Sequence, residues 1–384
     1  MSDTLLSLRA AFDRVPPLIY FNHAACAPLA RPVAAAMSGF MDEASRQGSV
    51  GFAGWLERRE ATRAATARLL GAAPDEVALT TSTSHGLLTV AEGLDWRPGD
   101  GVVAIEGDFP ADLMPWFRLQ RRGVRVTLLP RRQGRVDAAA ILGAVDDSTR
   151  LLAVPWVLYD NGCRIDLAAL GAGLAAVNRG RERPVLLCVD AIQGLGAFPL
   201  DVERWGIDFL AADSHKWMLG LEGIGVFYCR RSALALLDSP WLSWWSRADA
   251  FAPWSPDAPL QPDARRFELA SMPTVGIFGL HAALELLLAA GPERMAARIL
   301  ELTAALGAGL VERGWRLHSP METAGERSGI VAASHPGLPA REVVARLGEA
   351  GVSVTARAGA VRFSPHAWNT LDEVQGVLER VTWT

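Results

Sequence analysis

Lysine is almost absent from this chain. Of its 38 basic residues, 37 are arginine and one, Lys216, is lysine. Arginine serves as well as lysine on a solvated surface, and a bias toward GC-rich codons exchanges most of them. It does not serve where an uncharged primary amine must attack a carbonyl, because guanidinium keeps its proton at physiological pH. Position 216 therefore stands out, with chance retention as the alternative. Cysteine is scarce too. Cys26, Cys163, Cys188 and Cys229 are scattered with no CxxC pair, which argues against a zinc site and fits reduced thiols in a cytoplasm. No metal is expected. No apolar run approaches the ~20 residues that span a bilayer, and residues 1–17 do not read as a secretory signal. Charges of both signs are interspersed around a net −4, so neither nucleic acid nor a membrane is an expected partner. No GxGxxG follows an early strand and opens a helix, so a nicotinamide-type dinucleotide enzyme lacks its fingerprint.

What is present is an α/β pattern. Half of the 384 residues are hydrophobic and about a fifth are charged, which suits one large domain plus a smaller one. Seven apolar runs read as strands: 76–80, 102–105, 124–129, 151–154, 185–189, 209–211 and 224–228. Helical stretches at 87–94, 111–122, 137–145 and 167–178 lie between them. Such alternation predicts a mostly parallel, helix-covered sheet. The stretch 241–262, rich in Pro, Ser and Trp, reads as a long ordered loop. Its Trp241, Trp244, Trp245 and Trp254 either line a pocket or pack the loop down. Helices at 275–290, 292–313, 340–350 and 371–381, with strands near 330–333, 352–356 and 360–363, form a small α+β cap. The expected division is an arm at 1–20 packing on the small domain, a large domain at 21–262 and a small domain at 263–384.

The chemistry gathers at strand ends. Lys216 lies in a polar turn, Asp213-Ser214-His215-Lys216, just past a short strand, and reactive groups of open α/β sheets sit at strand carboxyl ends. A free lysine has a pKa near ~10.4; a carbonyl cofactor traps it as an imine. The strand at 185–189 runs into Asp190. Beside a pyridine nitrogen this acid would keep the ring protonated, making it an electron sink for an α-carbanion; alone, it also reads as a helix N-cap. Gln193 is placed to hydrogen-bond a ring hydroxyl. The segment Thr80–Gly86 has the hydroxyls and helix start of a phosphate site, or of an ordinary cap. Phe109 is placed to stack on a flat ring, or to pack in a core.

Six segments, in order over about 350 residues, resemble the class V aminotransferase family of fold type I pyridoxal 5′-phosphate (PLP) enzymes. They start at Tyr20, Thr81, Val189, Asp213, Arg266 and Val361. The group includes cysteine desulfurases, selenocysteine lyases, kynureninases and isopenicillin-N-epimerase-like proteins. The resemblance implies a large domain with a mostly parallel seven-stranded sheet and a small α+β C-terminal domain. It implies that Lys216 holds PLP as a Schiff base and shuttles protons, and that Asp190 pairs with the pyridinium. Gln193 would contact the ring hydroxyl and Phe109 would stack on the ring. Thr83 and Ser84, joined by His215 and Ser214, would bind the phosphate. Ser271 falls where the family reaches the phosphate of the other subunit, implying a homodimer. Arg362 would grip the substrate carboxylate; a surface salt bridge is its other reading. Asn22, His23, Tyr159 and Arg357 complete the substrate-side candidates.

Departures from the family pattern narrow the activity. Desulfurases carry a nucleophilic cysteine on a loop before the substrate arginine; the stretch 354–360 has none, which disfavours a persulfide-forming desulfurase. Tyr159 stands where relatives often place Asn or Gln. The expected enzyme acts on a small amino-acid-like substrate through an α-carbanion, as an aminotransferase or a C–S (β-elimination) lyase. An epimerase and a non-catalytic PLP-binding protein are the rival readings. Because the chain has one lysine, borohydride reduction of the PLP-loaded protein should fix the cofactor to Lys216 and to no other side chain. Peptide mass spectrometry reads the label, and an unlabelled Lys216 would defeat the assignment.

Overall fold

The computed structural model describes residues 3–12 and 18–382. The chain opens with α1 (Asp3–Ala10), β1 (Ile19–Tyr20) and two long helices, α2 (Arg31–Gln47) and α3 (Phe52–Leu70). Then come β2 (Val77–Thr80), α4 (Thr83–Gly93), β3 (Gly101–Ile105), α5 (Pro110–Arg118) and β4 (Arg125–Leu129). They are followed by α6 (Ala138–Gly143), β5 (Thr149–Pro155), α7 (Leu167–Val177), β6 (Leu186–Asp190), β7 (Phe209–Asp213) and β8 (Gly225–Cys229). The C-terminal part comprises α8 (Thr274–Ala290), α9 (Pro292–Glu312), β9 (Arg316–Leu317), β10 (Val331–Ser334) and α10 (Ala340–Glu349). It finishes with β11 (Val352–Ser353), β12 (Thr355–Arg357), β13 (Ala360–Phe363) and α11 (Leu371–Arg380).

Strands β2 to β8 form one seven-stranded sheet in the order β2-β8-β7-β6-β5-β3-β4. Only β8 runs against its neighbours. Every residue of β2, β3, β5, β6, β7 and β8 is buried, because helices cover both faces of a parallel sheet. Edge strand β4 is partly exposed. The apolar runs in the sequence thus coincide with the strands.

The small domain holds a four-stranded antiparallel sheet, β12-β13-β10-β9, whose core includes Leu306, Val343, Val361, Phe363 and Val377. The apolar core of the small domain separates from that of the large domain inside α9: Ile299 belongs to the large core and Leu302 to the small one. Helix α8 packs on α2 and α3 and buries Ile277, Leu280, Leu284 and Leu287 in the large core. The expected division at 263 thus precedes a helix that shares the large domain's core. The N-terminal arm straddles both units. Leu5 and Leu8 of α1 join the large core, whereas β1 pairs with β11 of the small domain.

The 241–262 loop is packed by its own aromatics. Trp244 meets Trp245 edge-on at 5.0 Å, and the Arg59 guanidinium lies over the Trp245 ring at 4.3 Å. None of its four tryptophans lines the cavity at the strand ends.

A buried carboxylate ties α3, β2 and the segment leading into α8 together. Glu268 is fully buried and pairs with Arg59 and Arg63. It also accepts the Leu79 N–H at 2.8 Å, while Arg63 donates to the Val77 carbonyl at 2.7 Å. Burial pushes the Glu268 pKa up, but the two arginines outweigh it and hold the carboxyl below its ordinary 4.5. Glu268→Gln leaves two buried guanidinium groups facing a neutral amide and should lower unfolding stability by about 3–5 kcal/mol in urea titration. Since the folded-state pKa is depressed, the contribution is whole above pH 4.5 and fades as pH falls through the folded value. The difference between wild type and variant should therefore shrink in acid.

Candidate active site

Six strands run in one direction, so their carboxyl ends share one edge of the sheet. There they enclose a cavity of about 320 Å³, a size within the range of small-ligand pockets. Helix α4 enters at this edge because Gly86 lets it approach β7; a Cβ on Gly86 would lie 2.7 Å from the Ala211 Cβ. The first turn of α4 thereby points at the cavity. Ser82 caps that helix by accepting the His85 N–H, and Ser82, Thr83 and Ser84 line the wall. Thr83 Oγ1 accepts the Asp213 N–H at 2.9 Å and keeps its own proton to donate. His215 stands beside them, its Nδ1 3.1 Å from Asp213 Oδ1. A helix N-terminus with hydroxyls and an imidazole suits a phosphate.

Asp190 closes β6 at the floor of the cavity. It does not cap a helix: Oδ1 accepts the Ile192 N–H at 2.7 Å in a turn. Burial raises its pKa; the Ile192 N–H, a hydrogen bond with Asp112 and the charge of Lys216 act against that. Lys216 follows β7 by three residues. No hydrogen bond or ion pair among the described residues engages its amine. Burial lowers its pKa from 10.5 to about 8, with Asp190 opposing the fall. Phe109 is 46% exposed, which rules out a core role. Its ring faces the cavity, 6.0 Å from Lys216 Nζ and edge-on to Tyr159 at 5.3 Å.

On the small-domain side, Arg362 of β13 is 2% exposed. Its Nη1 donates to the Tyr159 carbonyl at 2.6 Å and its Nε is buried without a hydrogen-bond partner. It has no carboxylate partner among the described residues, so it is no surface salt bridge. Arg357 of β12 is exposed at the rim and also lines the cavity. Burial, then the charge of Arg357, lowers the Arg362 pKa to about 10.

Several expected contacts are placed differently. Ser214 is fully buried and donates to the Leu221 carbonyl at 2.8 Å; it faces away from the phosphate end. His23 is fully buried behind Trp217, with Nδ1 2.9 Å from the Ser364 carbonyl. Asn22 bridges to Ser364. Neither lines the cavity; the turn after β1 presents Ala24 and Ala25 instead. Gln193 lines the cavity, but its amide donates to Ala24 O at 3.0 Å and accepts from Trp217 Nε1 at 2.9 Å. It fastens the lysine turn to the arm. Ser271 lies outside the cavity at an exposed position with φ 55°. Sequence reasoning missed Asp108 and Asp112, which flank Phe109 and line the floor. Their spacing, four residues across a proline helix start, was the available signal.

A free amine, a buried carboxylate, an exposed aromatic face and a helix-start anion cradle together fit PLP, and define a carbonyl-cofactor enzyme. The profile of the aminotransferase class-V family matches residues 19–376. An uncharacterized aminotransferase of Bacillus subtilis, YcbU, is 29% identical over 92% of this chain and 90% of its own. A probable cysteine desulfurase of Mycobacterium leprae is 31% identical over 84% and 80%. Among solved structures, an apo cysteine desulfurase from Thermococcus onnurineus superposes with a TM-score of 0.84 at 25% identity, covering 97% of this chain and 98% of that one. The cystine C-S lyase C-DES, at 23% identity, shares the fold with a TM-score of 0.86 over 96% and 98%. The chain belongs to the class-V aminotransferase family, and it is a PLP-dependent enzyme.

The lowered lysine pKa has a kinetic signature. An amine attacks only when neutral, so PLP capture by the unloaded protein should accelerate with pH and level off above about 8. Stopped-flow absorbance measures it, and a rise continuing toward 10.5 would contradict the buried environment.

Proposed function

We propose that the protein is an aminotransferase or a C–S (β-elimination) lyase acting on a small α-amino acid, working as a cytoplasmic homodimer. The observation that carries this reading is the placement of the single amine, Lys216, between Asp190 and an unpaired Arg362 around one cavity. The bound cofactor supplies an electron-withdrawing ring that stabilises negative charge at the substrate α-carbon. Asp190 would hold the ring-nitrogen proton. Phe109 would stack on the ring. The α4 start, with Thr83, Ser84 and His215, anchors the phosphate. Arg362 presents its guanidinium to the substrate carboxylate. Lys216 Nζ would take the substrate's α-proton.

A persulfide-forming desulfurase is disfavoured on two grounds. Strands β12 and β13 pair Arg357 with Ala360, so only residues 358 and 359 join them, both at positive φ. That two-residue hairpin leaves no loop to carry a thiol. None of the four cysteines lines the cavity, and Cys163, Cys188 and Cys229 are buried. The dimer reading rests on Ser271, exposed and held at a left-handed turn outside its own cavity, where it is free to reach a neighbouring phosphate.

An amino-acid panel separates the outcomes. A new keto acid that depends on an added keto-acid acceptor marks transamination, pyruvate with a released β-substituent marks elimination, and silence across the panel supports a non-catalytic binder. Arg362→Ala should cut kcat/KM for carboxylate substrates by about 10- to 100-fold, mostly through KM, while PLP affinity stays unchanged. An unaltered KM removes Arg362 from substrate binding.

A further inference from the structure

The floor of the cavity holds more acid than a ring-nitrogen partner requires. Asp190 ends β6, Asp112 sits in the first turn of α5, and Asp108 precedes that helix. All three are buried. The Asp112 and Asp190 carboxyls are in hydrogen-bond contact. Two carboxylates in contact within a buried site cannot both be ionised, so one proton lies between them. Its location follows from the other neighbours. Asp190 already accepts the Ile192 N–H through Oδ1 at 2.7 Å, which favours its anion. No backbone N–H among the described residues donates to the Asp112 carboxyl, which faces Asp190, Asp108 and the Cys188 thiol, with the charge of Lys216 opposing them. Burial first, then the charges of Asp190 and Asp108, push the Asp112 pKa far above its usual value. Asp108 is raised to about 7 by burial, with Asp190 and Asp160 adding to it and Phe109 N–H and Arg131 opposing.

We propose that Asp112 is a positioning residue that stays protonated and donates a hydrogen bond to Asp190, orienting that carboxylate and tempering its pull on the proton of the cofactor's ring nitrogen. The proposal rests on the PLP reading above. Asp190 is then not a bare anion at the ring. Part of its charge is committed to Asp112, and the ring nitrogen shares its proton with a weaker base. Asp112 shares the cavity floor with Asp190 and acts through that carboxylate.

Infrared spectroscopy of the unloaded protein tests the pair without turnover. At pH 9, where Asp108 has lost its proton, wild type should still show the carbonyl stretch of a buried protonated carboxyl. Asp112→Asn, nearly isosteric, should lose that band, and in Asp190→Asn the band should titrate away at lower pH because the anionic neighbour is gone. No band in wild type, or a band surviving in Asp112→Asn, overturns the proposal. With PLP labelled by ¹⁵N in the ring, the nitrogen resonance should move toward full protonation in Asp112→Ala and return to the wild-type position in Asp112→Asn, whose amide restores a donor. An unmoved resonance in Asp112→Ala also overturns it. Failure to take up PLP would instead sink the cofactor reading, with the infrared result still deciding the carboxyl pair.

Discussion

Parallel pairing is the constraint on which the site depends. Six strands share one direction, so their carboxyl ends fall on a single edge, and five of them end on or just before a chemically useful residue. β2 leads to Thr83, β3 to Asp108 and Phe109, β5 to Tyr159, β6 to Asp190 and β7 to Lys216. Residues separated by more than a hundred positions meet in one cavity without long loops to carry them. The same burial that makes the sheet stable removes water from its edge. That desolvation, more than any one neighbour, lowers the Lys216 pKa and raises that of Asp190. The sheet therefore sets both where the groups stand and how they ionise.

Much of this was legible because the strands are short, continuous apolar runs bounded by polar turns, and all seven expected runs coincide with strands of one sheet. Helices α2 and α3 were not read from the sequence, and α3 carries no continuous apolar stripe. The buried face of α3 is polar or small over Arg59, Thr62, Arg63, Ala65 and Thr66, with ion pairs to Glu268, and turns aliphatic only at Leu69 and Leu70. In α2, Val33, Met37 and Phe40 do recur at helical spacing and pack inward, though only Val33 is fully buried. A period-3.6 pattern of hydrophobicity cannot reveal a helix whose inward face is polar or small.

Site residues were legible where one residue type alone can do the task. A lone lysine, an acid at a strand end and an arginine before the last helix needed no geometry. Errors clustered where neighbours in sequence diverge in space. Ser214 and His215 are adjacent, yet one is buried against Leu221 O and the other faces the cavity. His23 and Ala24 split in the same way. Both pairs lie in turns just past a strand, where local backbone geometry decides which side chain turns inward, and a motif match carries no record of it.

The Ala27 N–H donates to the His215 carbonyl at 2.7 Å, beside the Gln193 tie between Ala24 and Trp217. The turn that presents the amine is thus braced by a stretch that precedes it by some two hundred residues in the chain. That stretch finds its partner only after some two hundred further residues have been made. A contact of such long sequence separation forms late. Vitamin capture accordingly reports on completed tertiary assembly, and a chain that stalls before this earlier stretch docks presents a nucleophile without a fixed address.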